Sequence, residues 1–296
     1  MSIGLQSYLE LVAIFVILAW GIYINNRNGQ LNFGPVYAMG IGAYFSAYAV
    51  VDMDWPFGLA LIVAVCLGAA AGFLPAPGLA RAPVFAVAIA TIGFIYIAQA
   101  VIRNLAFLGG ASGYFFIPKI DYLPAITWIA LIVIGFILYR IEKSRIGRAI
   151  EISFVDTVVA DTLGINRYRL SIFLQTFAGA TGALAGVFYA FTMRGLYPTH
   201  FGFSLLLRLI TFVFVGGCTT MWGVAVFTPV LWAVTVFLPD AISAWRDVIY
   251  GALIVIVFMI RPEGVIDRPL IRFITAKAKR LVKQDNSKSI TEDSVI

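Results

Sequence analysis

The sequence is 296 residues long, 61% hydrophobic, 15% aromatic and only 12% charged. Soluble domains carry about 25% charged residues, so too few polar groups remain here to cover a water-facing surface. That excludes a soluble enzyme, a disordered chain and a nucleic-acid-binding domain, and the net charge of +6 sits in patches rather than in a basic groove interleaved with stacking aromatics.

A membrane-crossing helix needs about 20 mostly apolar residues. Taken in chain order, the apolar runs predict spans near 8–24, 31–50, 57–74, 82–102, 122–140, 170–193, 205–217, 224–239 and 247–260. The 205–217 run is short and Gly34-Pro35 interrupts 31–50, so the expectation is an all-α polytopic transmembrane helix bundle of eight to ten spans. Residues 1–266 form the transmembrane domain and 267–296 a basic tail. The first 26 residues hold no Lys or Arg, so the basic start of a signal peptide is missing and the first run is expected to remain as a span. Ala38, Gly42 and Ser46, and likewise Gly182, Gly186 and Ala190, recur every four residues, the spacing that lets helix backbones approach closely in lipid. Pro35 and Pro229 each interrupt an apolar run, and broken helices can line a solute path. Cys66 and Cys218 read as small buried hydrophobes, and His200 has no partner at metal-ligand spacing.

Two basic clusters set the orientation. One spans Arg140 to Arg169 and the other Arg261 to Lys288, and basic loops stay cytoplasmic. Four spans lie between the clusters, an even number, so both face the same side. Counting back places the N-terminus outside, with Arg27 and Arg81 inside and Asp52 and Asp54 outside. Arg103, Lys119 and Arg194 fall outside against the rule. The tail from Pro269 places Ile271, Ile274, Ala278 and Leu281 on one face with Arg272, Lys279, Arg280 and Lys283 around it. It reads as a basic helix on the inner leaflet or as a solvated tail.

Within the loop 141–169, Ile152, Val155, Val158, Val159, Thr162 and Leu163 recur at helical spacing. Ser153 followed by Asp156 reads as a capping box, and Gly164-Ile165 as a left-handed stop closed by an apolar residue. The spacing predicts a helix of about ten residues near 154–163. Two placements satisfy it: on the inner leaflet, its basic flank Lys143, Arg145 and Arg148 meeting lipid phosphates, or in a groove of a soluble partner.

At this point the sequence resembles a known family. Ala160-Asp161-Thr162-Leu163-Gly164-Ile165-Asn166 is similar to the coupling segment of ABC importer permeases, and Ser144-Arg145-Ile146-Gly147-Arg148-Ala149 to the lead-in of the branched-chain amino-acid branch, M type. Leu31-Asn32-Phe33-Gly34 with Gly40-Ile41-Gly42-Ala43-Tyr44, the run Gly109-Gly110-Ala111-Ser112-Gly113, Gly216-Gly217, Trp222-Gly223, Tyr250-Gly251 and Arg261-Pro262-Glu263-Gly264 resemble further blocks of it. Pro35, Val224, Asp161-Thr162 and Arg208 depart from the pattern and leave the solute open. The resemblance implies an inner-membrane permease with a cytoplasmic C-terminus. Its partners would be a second homologous permease, two cytoplasmic ATP-binding subunits, an extracytoplasmic solute-binding protein and membrane lipid. It implies no cofactor in this chain, because ATP is bound by the partner subunits, and the chain indeed has no phosphate-loop motif. It assigns ATPase coupling to Arg148, Val155, Asp156, Val159, Ala160, Asp161, Leu163, Gly164 and Ile165.

Polar groups inside the spans are costly and mark candidate solute contacts. Arg208 reads either as a cationic contact for a solute carboxylate or as an arginine whose head reaches the headgroups. Gln99 and Gln175 read as solute contacts or as interhelical hydrogen-bonding groups, as does Asn104. An ion-coupled secondary transporter is the alternative of a different class. It normally shows carboxylates within spans, and apart from Asp247, the first residue of the last span, only Glu10 lies in one. A membrane-embedded enzyme would need a nucleophile, base or metal cluster near the spans, and none is present. Hydrophobic amino acids, urea or short amides, and aromatic acids all remain compatible as solutes.

Overall fold

The computed structural model describes residues 3–217, 220–237 and 245–260. Cys218, the Arg261-Pro262-Glu263-Gly264 block and the whole tail 267–296 lie outside the described residues. Prolines set where several helices begin, because a helix's first turn needs no amide donor there. Helix α1 (Ile3–Arg27) is followed by α2 (Gly34–Val51), with Pro35 in its first turn, and α3 (Phe57–Phe73), which starts after Pro56. A short turn α4 (Ala76–Leu79) leads to α5 (Val84–Asn104), which starts after Pro83, and α6 (Leu123–Lys143) has Pro124 in its first turn. Pro35 therefore opens a helix and does not break a span. The Asn32 side-chain oxygen accepts the Gly34 amide at 2.7 Å just before it. Helices α7 (Arg145–Val155) and α8 (Thr157–Thr162) precede the long α9 (Arg167–Met193), then α10 (Phe203–Gly216), α11 (Met221–Phe237) and α12 (Arg246–Ile260). Pro229 lies inside α11, and its carbonyl accepts a hydrogen bond from the Tyr8 hydroxyl at 2.8 Å. Among the described residues there is no β-strand, and each of the nine expected apolar segments falls on a helix. Six stretches are long and apolar enough to cross a membrane: Gln6–Arg27, Phe57–Leu79, Val84–Asn104, Leu123–Lys143, Arg167–Met193 and Pro198–Gly216.

A helix that is apolar all round belongs in a core, and α1 occupies that position, with Ala13 through Ala19 almost wholly buried. It packs on α9, α11, α6 and α10, while α9 also packs along α2 and α3. The two small-residue stripes meet in the α2–α9 seam. A Cβ added at Gly186 would lie 2.0 Å from the Met39 carbonyl oxygen, and one at Gly182 or Gly42 would lie 2.4 Å from the Pro35 or Ala183 carbonyl oxygen. Backbone-to-backbone contact of this kind supplies the dispersion that holds helices together when no hydrophobic effect operates between them. Buried Thr91, Thr127, Thr181, Thr211 and Thr228 donate to carbonyls one turn back in their own helices, so they add no unpaired donor to the core. Cys66 departs from its expected burial: it is exposed on α3, on the same outward side as Ile62.

The loops gather at two ends. At one end Tyr114 and Leu196 exchange backbone hydrogen bonds of 2.8 and 2.9 Å, and the Tyr114 hydroxyl donates to Asp52. Burial, together with that carboxylate, pushes the Tyr114 phenol above its ordinary range, so it stays a neutral donor. At the other end Arg27 meets Glu142, Gln30 meets Ser171 and Gln175, and the Arg81 guanidinium stacks 4.8 Å from the centre of the Tyr168 ring. Helix α2 therefore runs from one end of the bundle to the other.

Candidate functional site

The segment joining α6 to α9 is specified locally from start to stop. The Ser144 hydroxyl accepts the Ile146 amide at 3.1 Å and caps α7. Gly147 then allows the sharp α6–α7 bend, since a Cβ there would lie 2.3 Å from the Glu142 carbonyl oxygen. Asp156 is extended, and its carboxylate accepts the Val158 and Val159 amides at 2.8 and 3.2 Å, which caps α8. Gly164 at φ +73° ends it. Ile165 N–H bonds the Ala160 carbonyl and Gly164 N–H bonds the Asp161 carbonyl, both at 3.1 Å, the paired closure expected of a glycine stop. The Asn166 side chain then caps α9 by accepting the Arg169 amide at 3.0 Å.

The expected start of this helix needs correction. Ser153 is not a cap. It is buried inside α7, with no hydrogen-bond partner for its hydroxyl among the described residues, on the face shared by Gly147 and Ile150. Asp156 is the cap: Ser153 is taken up in the interior of α7, and the Asp156 carboxylate is the group that meets the two free amides at the start of α8. The helix is six residues long rather than ten, and Val155 is the last residue of α7. The apolar face nevertheless points outward: Val155 is 78% exposed, Val158 68% and Leu163 62%, with Phe154 and Val159 beside them. Ala160 is fully buried and supports this face from beneath. Arg148 and Asp161 are exposed on the same segment.

Tyr23 and Glu142, which the sequence did not single out, tie this segment to the core together with Arg27. The Tyr23 hydroxyl donates to the Glu142 carboxylate, Arg27 donates to the Tyr23 hydroxyl at 3.2 Å, and Arg27 lies 3.8 Å from Glu142. The cluster clamps α1 to the last turn of α6, two residues before the Ser144 cap. A lone acid in an otherwise basic run was the available signal.

The three solute-path candidates do not converge. Gln175 joins Gln30 and Ser171 near the start of α9, in hydrogen bonds of 2.6 to 3.0 Å, and among the described residues its amide oxygen has no partner. Gln99, on α5, donates to the Pro198 carbonyl at 2.9 Å, in the turn that follows α9 in the chain. The two lie on different helices and share no partner. Asn104 bonds to its own helix. Arg208 is half-buried on α10, where its Nε donates to the Ser204 carbonyl at 3.2 Å. Among the described residues it forms no ion pair. It lies by Tyr189 and His200, whose side chains approach to 3.4 Å. Glu10, on α1, is buried and accepts from Thr192 at 3.4 Å. No group of three or more potential metal ligands exists among the described residues.

The sequence matches a known family profile: the family described as "Branched-chain amino acid transport system / permease component" covers residues 4–258. The chain belongs to that family. The permease is 24% identical to the high-affinity branched-chain amino acid transport system permease protein LivM of Escherichia coli K12, over 94% of its own length and 74% of that protein. It is also 27% identical to the corresponding permease protein LivH of Salmonella typhimurium, over 52% of this chain and 50% of that one. The autoinducer 2 import system permease protein LsrC of E. coli SMS-3-5 is 26% identical, over 52% of the permease and 48% of LsrC. No solved structure gives a significant match. The permease is thus a multi-pass membrane protein of a transport system.

Proposed function

We propose that the permease is one of two homologous membrane subunits of an ATP-driven importer in the cytoplasmic membrane, and that α7–α8 is where it receives work from a cytoplasmic ATPase. The observation that carries this reading is the outward apolar face made by Phe154 and Val155 at the end of α7 with Val158 and Leu163 on the following α8, which is capped at both ends. Outside lipid, such a face is costly in water, at about 1.5–3 kcal/mol for each large apolar side chain that a partner could bury. Its rigid caps suit it to transmit displacement. Through Glu142 it connects to α1 and through Asn166 to α9, so movement of α8 would reach the two most central helices.

In this reading α1, α2, α3, α5, α6, α9, α10, α11 and α12 make nine crossings, with the C-terminus cytoplasmic. The grouping of loops into two ends supports the alternation of the first six. Similarity to both LivM and LivH supports a pair of unlike permeases, joined by two ATP-binding subunits and an extracytoplasmic solute-binding protein. The solute is a branched-chain or other hydrophobic amino acid, supported by the length of the LivM match. The permease itself performs no chemistry. Reconstitution of the permease with its partners in proteoliposomes tests this. ATP-dependent uptake of leucine, saturating before urea or an aromatic acid enters, is the expected result. Uptake that proceeds without ATP, driven by an ion gradient, would overturn it.

A further inference from the structure

A cleft of about 510 Å³ opens where α6 bends into α7, lined by Phe136, Ile137, Arg140, Lys143, Ser144 and Ile146 among others. Its chemistry is divided. One end carries two cations beside the first turn of α7, and the other is apolar. Arg140 and Lys143 have no acidic partner among the described residues, because Glu142, the carboxylate between them, is turned inward to Tyr23 and Arg27. Lys143 instead lies 5.9 Å from the centre of the Tyr139 ring. From the apolar end, the same outward face of α6 continues through Ile132 to Ile129, all exposed side chains. From Ile129 to Arg140 is about 16 Å of helix, close to the roughly 15 Å of hydrocarbon in one leaflet.

We propose that this cleft binds one anionic phospholipid, with its phosphate between Arg140 and Lys143 and an acyl chain along Phe136, Ile132 and Ile129. A guanidinium matches phosphate oxygens in pairs and an ammonium adds a mobile charge. A free anion would use the cations but leave the apolar track idle, whereas a phospholipid uses both. The tyrosine at the boundary suits the headgroup level. A lipid seated here would brace the bend from which α7–α8 starts. The side of the membrane follows from the orientation proposed above, but binding itself does not depend on it.

Native mass spectrometry of the detergent-purified full chain, titrated separately with phosphatidylglycerol, phosphatidylethanolamine and inorganic phosphate, tests the proposal. Phosphatidylglycerol is expected to bind in preference to phosphatidylethanolamine. The Arg140→Gln/Lys143→Gln pair should weaken it about thirtyfold, as two surface cations are worth near an anionic headgroup, while Arg140→Lys/Lys143→Arg should retain it. A short-chain phosphatidylglycerol should bind the unmodified chain more than about tenfold less tightly, because the apolar track goes unused. That comparison needs no variant to fold. Equal binding of the two headgroups, no loss in the glutamine pair, or displacement of the lipid by inorganic phosphate would each overturn the proposal. So would loss of the bound lipid when the complete importer assembles, since another subunit would then cover the cleft.

Discussion

Gly164→Val is the perturbation that separates a rigid coupling element from a passive surface turn. At φ +73° a residue with a Cβ pays about 1–2 kcal/mol, with a β-branched one at the upper end. No atom lies within 4 Å of a Cβ built at this position, so no steric clash adds to the cost and the effect is purely conformational. A penalty of 1–2 kcal/mol shifts the balance between the closed turn and alternatives about five- to thirtyfold. The bundle should be unaffected, because Gly164 makes none of its core contacts. The mutant complex should therefore assemble and dock its solute-binding protein, yet lose uptake and solute-stimulated ATP hydrolysis together, by that factor. Gly164→Asn supplies the control, since asparagine tolerates the left-handed region far better than valine. It should retain most activity. Parental transport by Gly164→Val, or equal damage from Asn and Val, would refute the reasoning.

Val158→Glu places a charge on the exposed face without touching the core; it should leave expression unchanged and reduce co-purification of the ATPase, weakening the contact by at least about 1–2 kcal/mol. Gly186→Ala puts a methyl 2.0 Å from the Met39 carbonyl oxygen and should cost about 3 kcal/mol or more, read as loss of folded protein. Gly251→Ala, where no described side chain or backbone lies within 4 Å of the added methyl, should be nearly neutral in the same assay. Arg208→Gln keeps similar length and some hydrogen bonding but removes the charge and so separates the two readings of Arg208: a solute contact lowers uptake with assembly intact, and a headgroup-reaching arginine leaves uptake unchanged across solute concentrations.

Local features were legible in the sequence wherever a few neighbouring residues decide them. The glycine stop at Gly164-Ile165 formed as its residues imply, and the stripes at Ala38-Gly42-Ser46 and Gly182-Gly186-Ala190 lie on one seam. The misplaced cap shows the limit of that reading. Ser153 and Asp156 are both good capping residues, and the burial of Ser153 on the Gly147–Ile150 face decides between them. Pro35 was similarly ambiguous, because a proline in an apolar run can break a helix or open one, and the Asn32 bond shows that it opens α2. Long-range polar partners were hidden. Nothing in the neighbourhood of Glu142 points to Tyr23, 119 residues away, and Gln175 meets Gln30 across 145 residues. For the same reason the internal partners of Gln99 and Gln175 were hidden: a polar residue in an apolar run gives no sign of whether it meets a solute, its own chain or both.

The account turns on what the apolar face of α8 touches when the importer is assembled. A photo-reactive residue at position 158, activated in intact cells that contain the full complex, answers this directly. The account predicts a covalent adduct with the ATP-binding subunit that is lost when that subunit is deleted. An adduct with phospholipid in the presence of the ATPase, or labelling of position 158 by a membrane-impermeant reagent from outside the cell, would contradict it.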